Sequence, residues 1–413
     1  MRILWTVNTL MPQIAKELGI TSTHAISWID AMGNRLKENQ DVSLAIACIG
    51  KVDTIVSKEI DGIHYYVIPR AGIKKDMWGG VLDEFQPDVI HAYGTEAKHN
   101  YLLLKKHADI PTVVSLQGIL TEYARHYYAG IDFTTMLRYT KLKDFLFPIG
   151  FFSGRKAFEK TAKVEKMILE RARFVEGRST WDKVSALKMN PNLGYFYCPR
   201  LIRAPFYEAH WSINKVERHS IFVHQGDYPI KGLHIMFEAL AQVKKEFPDV
   251  KLYIAGRKFF ETKTLKQKLF RKGYIDYLEH LVKKYDISNE IVFTGFLNAE
   301  SLAKQLESMN VVVISSSIEN APNSLAEAEI VGTPCVASFV GGNMDMLRHE
   351  EEGFLYNYNE PNMLAEYIKL IFRSDDLANK FSKAASETAR KRHDPATLEK
   401  TLLGIYKDVI ASY

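Results

Sequence analysis

Short apolar runs alternate with longer amphipathic stretches along this chain. The runs Arg2–Val7 and Val42–Ile49 are rich in aliphatic residues and have the length of buried parallel strands. Between them, Thr21–Leu36 repeats isoleucine and leucine at helical spacing, and Ser22 or Thr23 stands where a helix cap is expected. An alternation of strands with helices predicts a doubly wound α/β architecture for the first half.

The same alternation continues in the second half. Further strands are predicted at Ser220–Gly226, Val250–Gly256, Ile291–Phe296, Val311–Ile314, Cys335–Ser338 and Gly353–Tyr356. Helices are predicted at Leu302–Met309, Leu364–Ile371, Leu377–Arg390 and Leu398–Ile410. Because 413 residues exceed the usual size of one domain, we predict domains at 1–205 and 206–390, and a final helical segment at 391–413.

Composition and charge exclude several classes of protein. The chain has 46% hydrophobic and 25% charged residues, an ordinary globular balance, and its net charge of +5 does not by itself indicate nucleic acid binding. Its three cysteines lie far apart, which argues against a disulfide framework or a zinc site. The N-terminus has too little apolar length for a signal peptide, and we find no apolar run of spanning length. We therefore expect a cytoplasmic protein.

One basic segment modifies that expectation. Residues 138–173 hold ten Lys or Arg and four Asp or Glu, a net charge of +6, around the aromatic stretch Phe145–Phe152. Aromatic residues flanked by bases suit a membrane interface with anionic lipid, so peripheral contact at the inner face of the membrane is one interpretation. The alternative is a helix pair with a packed apolar face and solvated charges.

The stretch Ser315–Gly342 carries the main candidate chemistry. It follows a predicted buried strand, and in α/β sheets ligands bind outside the carboxyl ends of the strands. Glu319 lies in the loop and Glu327 in the helix that follows, so both carboxylates can face one crevice. The amides of Asn323, Ser324 and Leu325 would lie at that helix's N-terminus, where an anion is favoured. The alternative is a capped surface helix with two solvated acids.

The order E-N-x-P-N-S-L-x-E-A, then G-T-P-C-V-A-S and G-G, resembles the E-x7-E signature of the retaining glycosyltransferases of family 4. That resemblance implies a GT-B fold, with two Rossmann-like doubly wound parallel-sheet domains facing a cleft: an N-terminal acceptor-side domain, a nucleotide-sugar donor domain, and a last helix that crosses back to the first. It implies that Glu319 contacts the sugar of the donor and that Glu327 contacts the ribose of the donor.

Other donor-side positions follow from the same resemblance. Lys231, before Gly232, matches the family's diphosphate-binding lysine, but Gly226 stands where the family has a partner arginine. The loop Thr294-Gly295-Phe296 matches the loop near the donor base, with Gly295 and Phe296 as donor-binding candidates. The alternatives are a solvated lysine and an ordinary turn between strand and helix.

The first half matches the family in fewer places. His91 ends one strand as an acceptor-side candidate, and Gln117 ends the next, where the family has a histidine that touches the donor sugar. Glutamine can donate a hydrogen bond but carries no positive charge. Ser22 and His24 occupy the region of the family's Gly-Gly loop and are further acceptor-side candidates; Arg178 is a candidate cleft residue. A structural role at the end of a strand or helix is the alternative for each.

The resemblance implies a hexosyltransferase-type enzyme that moves a sugar from a nucleotide-diphosphate sugar to a glycan or lipid-linked acceptor with retention, by front-face attack. Capsule or O-antigen polysaccharide biosynthesis is the expected setting. No D-x-D triplet occurs, so we expect no metal and no other cofactor. Two alternatives stay open: a nucleotide-sugar epimerase of the same fold, and a non-catalytic protein that binds nucleotide or glycan.

Overall fold

The computed structural model describes residues 1–20, 27–70, 78–145, 150–261, 264 and 271–413. The chain forms two compact units, and each is assembled from separate stretches of sequence. The first unit contains Met1–Leu120, Thr161–Arg203 and His393–Tyr413. The second contains Thr121–Lys160 and Ala204–Arg392.

The first unit is built on a sheet of eight strands among the described residues. The strands are Arg2–Val7 (β1), Ser43–Gly50 (β2), Val56–Ile60 (β3), Ile63–Pro69 (β4), Val89–Tyr93 (β5), Thr112–Ser115 (β6), Phe174–Gly177 (β7) and Gly194–Tyr197 (β8). Their order is β3-β4-β2-β1-β5-β6-β7-β8, and every neighbouring pair is parallel except β3 with β4. The central strands β1 and β5 are buried on both faces, which explains their continuous apolar runs.

The second unit has a parallel sheet of six strands within the described ranges. They are Glu217–Val223 (β9), Lys251–Ala255 (β10), Ile291–Gly295 (β11), Met309–Ile314 (β12), Cys335–Ser338 (β13) and Gly353–Tyr356 (β14). Their order is β11-β10-β9-β12-β13-β14. The chain therefore changes direction across the sheet between β9 and β12.

Helices cover both sheets. They span Pro12–Glu17, Ser27–Leu36, Trp78–Phe85, Lys98–Lys106, Leu120–Arg125, Phe133–Arg138, Phe151–Leu169, Thr180–Met189, Ala204–Glu208, Leu233–Lys244, Gly273–Tyr285, Ala299–Ser308, Asn323–Val331, Asn343–Met346, Pro361–Arg373, Asp375–Arg392 and Pro395–Ala411. Two doubly wound α/β units result, as the sequence predicted. None of the helices in the described part of the chain is both long and apolar enough to cross a membrane.

One segment lies in the second unit, whereas the predicted domain boundaries include it in the first domain. Residues 121–160 belong to the second unit, although the sequence suggested a first domain of 1–205. Two contacts hold the segment there: the His234 imidazole pairs with the Ala129 carbonyl at 2.9 Å in a buried hydrogen bond, and the Ser317 hydroxyl donates to the His126 carbonyl at 3.0 Å in a partly buried one. Periodicity could not show this, because an amphipathic helix does not identify the surface that it covers.

The last helix, Pro395–Ala411, belongs to the first unit, where it packs against β5 and β6. Its Tyr406 hydroxyl accepts a hydrogen bond from the Trp5 indole at 2.9 Å and pairs with the His91 imidazole at 2.8 Å. The helix is therefore part of the core of that unit.

Candidate functional site

The candidate site lies in the second unit, at the carboxyl ends of β9 and β12. These adjacent strands mark the point where the strand order reverses, which is where open α/β sheets form a ligand crevice. The loop after β9 ends in the 3-10 helix Pro229–Lys231, and the loop after β12 holds Glu319. The topology thus brings Lys231 and Glu319 together although they are far apart in sequence.

Lys231 and Glu319 form an ion pair. The lysine Nζ lies 2.5 Å from Oε1 of Glu319, and the Ser316 hydroxyl donates to the same oxygen at 2.7 Å. Burial alone would lower the pKa of Lys231, but the neighbouring carboxylate outweighs that effect and the pKa is raised above its ordinary value. The ammonium therefore stays charged, as binding of an anionic group requires.

Two glycines allow neighbouring loops to pack closely against the loop that carries Glu319. Gly232, after the lysine, has φ 68°, and a Cβ there would lie 1.8 Å from the Ser315 carbonyl oxygen. Gly341 has φ 50°, and a Cβ there would lie 1.9 Å from the Glu319 carbonyl oxygen. The Gly342 N–H donates to that same carbonyl at 3.0 Å. Glycine at these positions lets the backbone pack directly against the loop that carries Glu319.

Glu327 lies in the helix Asn323–Val331 and is nearly buried. Its Oε2 is 3.8 Å from Nε2 of His224, which directly follows β9. The sequence analysis did not select His224 as a site residue, because one histidine at a strand end carries little information. Its position at the end of a predicted strand was the available signal.

The N-terminus of the Asn323–Val331 helix offers fewer amides than expected. The Leu325 N–H donates to the Pro322 carbonyl at 3.0 Å, so it is already used. Ser324 has no hydrogen-bond partner for its N–H within the described ranges, and Pro322 supplies no side-chain cap. Ser324 is therefore the better anion-binding candidate of these two residues.

The remaining donor-side candidates lie in neighbouring loops of the same sheet edge. Gly226 is buried, and a Cβ there would lie 2.7 Å from the Leu233 side chain. Position 226 therefore has no room for an arginine side chain that points towards Leu233. Gly295 ends β11 with φ 77°, and the following Phe296 side chain is 88% exposed. A large exposed ring at the carboxyl end of a strand is available for stacking.

The first unit holds the other candidates in different surroundings. His91 is fully buried within β5, where it contacts Tyr406 and lies 3.6 Å from Glu176, so the structure favours its structural alternative. Burial lowers the pKa of His91. Gln117 follows β6 and is partly exposed, and its carbonyl accepts a hydrogen bond from the Arg178 guanidinium at 2.8 Å. Ser22 and His24 lie outside the described residues.

The turn before Lys231 also borders a cavity of about 260 Å³ in the second unit. Half of the ten residues that line it are aromatic: Tyr127, Phe151, Phe158, Tyr228 and Tyr274. Lys272 lines the cavity as well and is paired with Asp227 at 2.9 Å. Residues 121–160 thus contribute to the immediate surroundings of the lysine turn.

Residues 205–388 match the profile described as glycosyl transferases group 1. A putative glycosyltransferase YtcC of Bacillus subtilis (strain 168) is 30% identical over 185 residues, 44% of this chain and 43% of that protein. A phosphatidyl-myo-inositol mannosyltransferase of Mycobacterium leprae (strain TN) is 28% identical over 193 residues, 46% of this chain and 47% of that protein. The chain thus matches these curated relatives over slightly less than half of their length.

Solved structures match the whole chain. Sucrose-phosphate synthase (tll1590) from Thermosynechococcus elongatus has a TM-score of 0.73 at 16% identity, covering 100% of both chains. Anabaena Alr3699/HepE in complex with UDP-glucose has a TM-score of 0.67 at 17% identity, also covering 100% of both. Such identities establish the fold alone. Residues 205–388 therefore resemble the glycosyl transferases group 1 family, and the chain has the GT-B fold that its sequence predicted.

Proposed function

We propose that this protein transfers a sugar, with retention of configuration, from a nucleotide-diphosphate sugar to a glycan or lipid-linked acceptor in surface polysaccharide biosynthesis. The observation that carries the proposal is the pairing of Lys231 with Glu319 at the sheet's switch point. A charged ammonium and a carboxylate held side by side match the two parts of such a donor, the diphosphate and the sugar hydroxyls.

The chemistry follows from these two groups. The donor diphosphate competes with Glu319 for the Lys231 ammonium, and the freed carboxylate then accepts hydrogen bonds from hydroxyls of the donor sugar. As the bond from the anomeric carbon to the phosphate oxygen breaks, the lysine and the Ser324 N–H stabilise the charge on the leaving diphosphate. The acceptor hydroxyl forms the new bond on the same face and passes its proton to a departing phosphate oxygen.

Two further groups support the donor assignment. In this proposal Glu327 accepts hydrogen bonds from the ribose hydroxyls, which its position 3.8 Å from His224 supports. The Phe296 ring stacks on the base, which its high exposure supports. Because HepE was solved with UDP-glucose, UDP-glucose is the first donor to test, and GDP-mannose is the second because two mycobacterial relatives are mannosyltransferases.

A thermal-shift screen against UDP, GDP, ADP and their common sugar conjugates tests the donor assignment. One nucleotide is expected to raise the melting temperature, because at a hundredfold excess over Kd a ligand stabilises the folded protein by about 2.7 kcal/mol. Glu327→Ala should abolish the shift. Glu387→Ala, which removes an exposed glutamate from another helix of the same unit, should preserve it.

Absence of any shift in the wild type would refute the donor site. Binding without transfer or donor hydrolysis would instead favour the non-catalytic alternative, and conversion of the nucleotide-sugar without any acceptor would favour the epimerase.

We also propose that residues of the segment 121–160 contact a membrane surface. Within the predicted stretch Phe145–Phe152, Phe151 is buried, and 146–149 lie outside the described residues. The exposed apolar side chains lie just before it, with exposed fractions of 60% for Phe133, 50% for Leu137 and 85% for Leu142. The exposed Arg138 lies among them and suits anionic lipid.

Sedimentation with vesicles tests this surface. Wild-type protein should bind vesicles that contain phosphatidylglycerol, and replacement of Phe133, Leu137 and Leu142 by serine should lower the binding constant at least ~10-fold, because each side chain loses apolar burial. A triple serine variant at Val184, Phe339 and Met363, which are also large apolar residues with exposed fractions of 62%, 52% and 42%, serves as the control. Equal binding by both variants would refute the assignment.

A further inference from the structure

The cavity of about 260 Å³ in the second unit takes no part in the transfer chemistry proposed above. Its ten lining residues all belong to the second unit, and none of them is a donor-side candidate. One wall is a single face of the helix Phe151–Leu169, because Phe151, Gly154 and Phe158 recur at helical spacing. Further lining residues are Tyr127, the turn Tyr228–Pro229, Lys272 and Tyr274.

The polar groups of this wall are largely engaged with the protein itself. Lys272 is the charged residue among the ten, and its ammonium donates to the Asp227 carboxylate at 2.9 Å and to the Asp227 carbonyl at 3.1 Å. The Tyr274 hydroxyl pairs with the His234 imidazole at 3.0 Å. Most of the other lining residues are phenylalanine, alanine, proline and glycine. Such a wall favours hydrocarbon, because a polar ligand would lose its hydrogen bonds to water there.

The size and the opening of the cavity restrict the ligand further. An engineered apolar cavity of about 150 Å³ holds benzene, so a cavity of 260 Å³ has room for roughly ten carbon atoms. The cavity is partly open to solvent, and Ala157 is the exposed residue among those that line it. A ligand can therefore enter beside Ala157, and a single hydrocarbon chain fits the space better than a whole lipid.

Aromatic rings connect the cavity with the exposed apolar surface of the same segment. Phe151 lines the cavity, and the ring of the next residue, Phe152, lies 6.0 Å from that of Phe133 between centroids. Phe133 is 60% exposed and belongs to the surface proposed above to contact a membrane. A bilayer against that surface would present its acyl chains close to the cavity.

We propose that this cavity binds one aliphatic chain of a membrane lipid, which enters beside Ala157 and lies against the turn Tyr228–Pro229. Lys231 directly continues this turn, and its N–H donates to the Tyr228 carbonyl at 3.2 Å. A bound lipid would thus be held next to the candidate donor site. The membrane source of the chain rests on the membrane contact proposed above, whereas binding of a hydrocarbon chain depends neither on that contact nor on transfer.

Ligand-observed NMR titration of the full chain tests the cavity. The probes are n-decanol, n-butanol, indole and sn-glycero-3-phosphoglycerol, which is the headgroup of phosphatidylglycerol without its chains. We expect n-decanol to bind, n-butanol to bind at least ~10-fold more weakly because it buries fewer methylene groups, and the headgroup not to bind. Ala157→Phe should raise the Kd for n-decanol at least ~10-fold, because its ring would occupy the opening of the cavity.

Matched variants separate the cavity from the surface beside it. Ala204→Phe changes another exposed helical alanine of the same unit and should leave the Kd unchanged. Ala157→Leu introduces a smaller side chain and tests the cavity even if Ala157→Phe does not fold. The triple serine variant at Phe133, Leu137 and Leu142 should still bind n-decanol, so a failure of the membrane surface and a failure of the cavity would be recognised separately.

Sedimentation with phosphatidylglycerol vesicles tests the source of the chain. Ala157→Phe should bind vesicles at least ~3-fold more weakly than Ala204→Phe, because one acyl chain loses its site. Equal vesicle binding by these two variants would overturn the membrane source. The cavity assignment itself is refuted if n-decanol does not bind, if indole or the headgroup binds more tightly than n-decanol, if both Ala157 variants bind n-decanol like the wild type, or if the triple serine variant loses it.

Discussion

Lys231→Met is expected to lower kcat/KM for transfer at least ~100-fold, the scale measured when one group that stabilises a developing oxyanion is removed. The effect should be large because Gly226 stands where family members have a second cation, and the space around it is filled by Leu233. In the proposed mechanism Lys231 therefore carries most of the charge compensation for the leaving diphosphate. Release of nucleoside diphosphate from the donor identified by the thermal-shift screen measures the change.

The chain offers a close control for this substitution. Lys244 has nearly the same exposed fraction, 29% against 25% for Lys231, and is likewise paired with a nearly buried carboxylate, Glu290, at 3.2 Å. Lys244→Met should therefore show how much stability is lost when such an ion pair is broken, and it should leave kcat/KM for transfer unchanged. Lys231→Arg should keep part of the activity, because the charge remains but its geometry changes. Activity of Lys231→Met within threefold of the wild type would contradict the assignment.

Arg200→Met is expected to destabilise the first unit by about 3–5 kcal/mol, because it leaves a carboxylate buried without its cation. The Arg200 guanidinium lies 3.0 Å from Glu176, which is fully buried, and also donates to the Ser115 hydroxyl. Burial alone would raise the pKa of Glu176, but Arg200 and then His91 reverse this and hold it below the ordinary value. Hydrogen exchange measured on peptides of the first unit reports the change.

An exposed pair of the same kind provides the comparison. Arg218 and Asp375 are about half exposed, so Arg218→Met should cost under about 1 kcal/mol. Adding Glu176→Gln to Arg200→Met should recover part of the loss, because the uncompensated charge disappears. Unchanged exchange in Arg200→Met would show that the buried pair contributes nothing to stability.

The fold of the second half of the molecule was predictable because the information for it is local. Glu319 and Glu327 follow a recognisable strand and belong to one continuous motif, and the fold follows from apolar runs that each predict an element on their own. His91 was ambiguous because a strand-end histidine can face either solvent or the core. Its burial depends on Tyr406, more than three hundred residues away, which no local pattern reports.

His224 escaped prediction for a related reason, because its proximity to Glu327 depends on the strand order and not on a local pattern. For residues 138–173 the sequence offered a helix pair as one alternative, and only tertiary contacts such as that between Ala129 and His234 assign residues 121–160 to the second unit.

The discontinuity of both units has a consequence for how the protein is made. Residues 121–160 leave the ribosome long before residues 204–392, against which they pack. The core of the first unit is complete only when the last helix, which contains Tyr406, has been synthesised. Domains that are continuous in sequence can fold one after another during synthesis. Here the first unit cannot complete its core until the second has been synthesised. Nascent chains of this protein therefore expose apolar surface for most of translation, and its yield should depend strongly on chaperones.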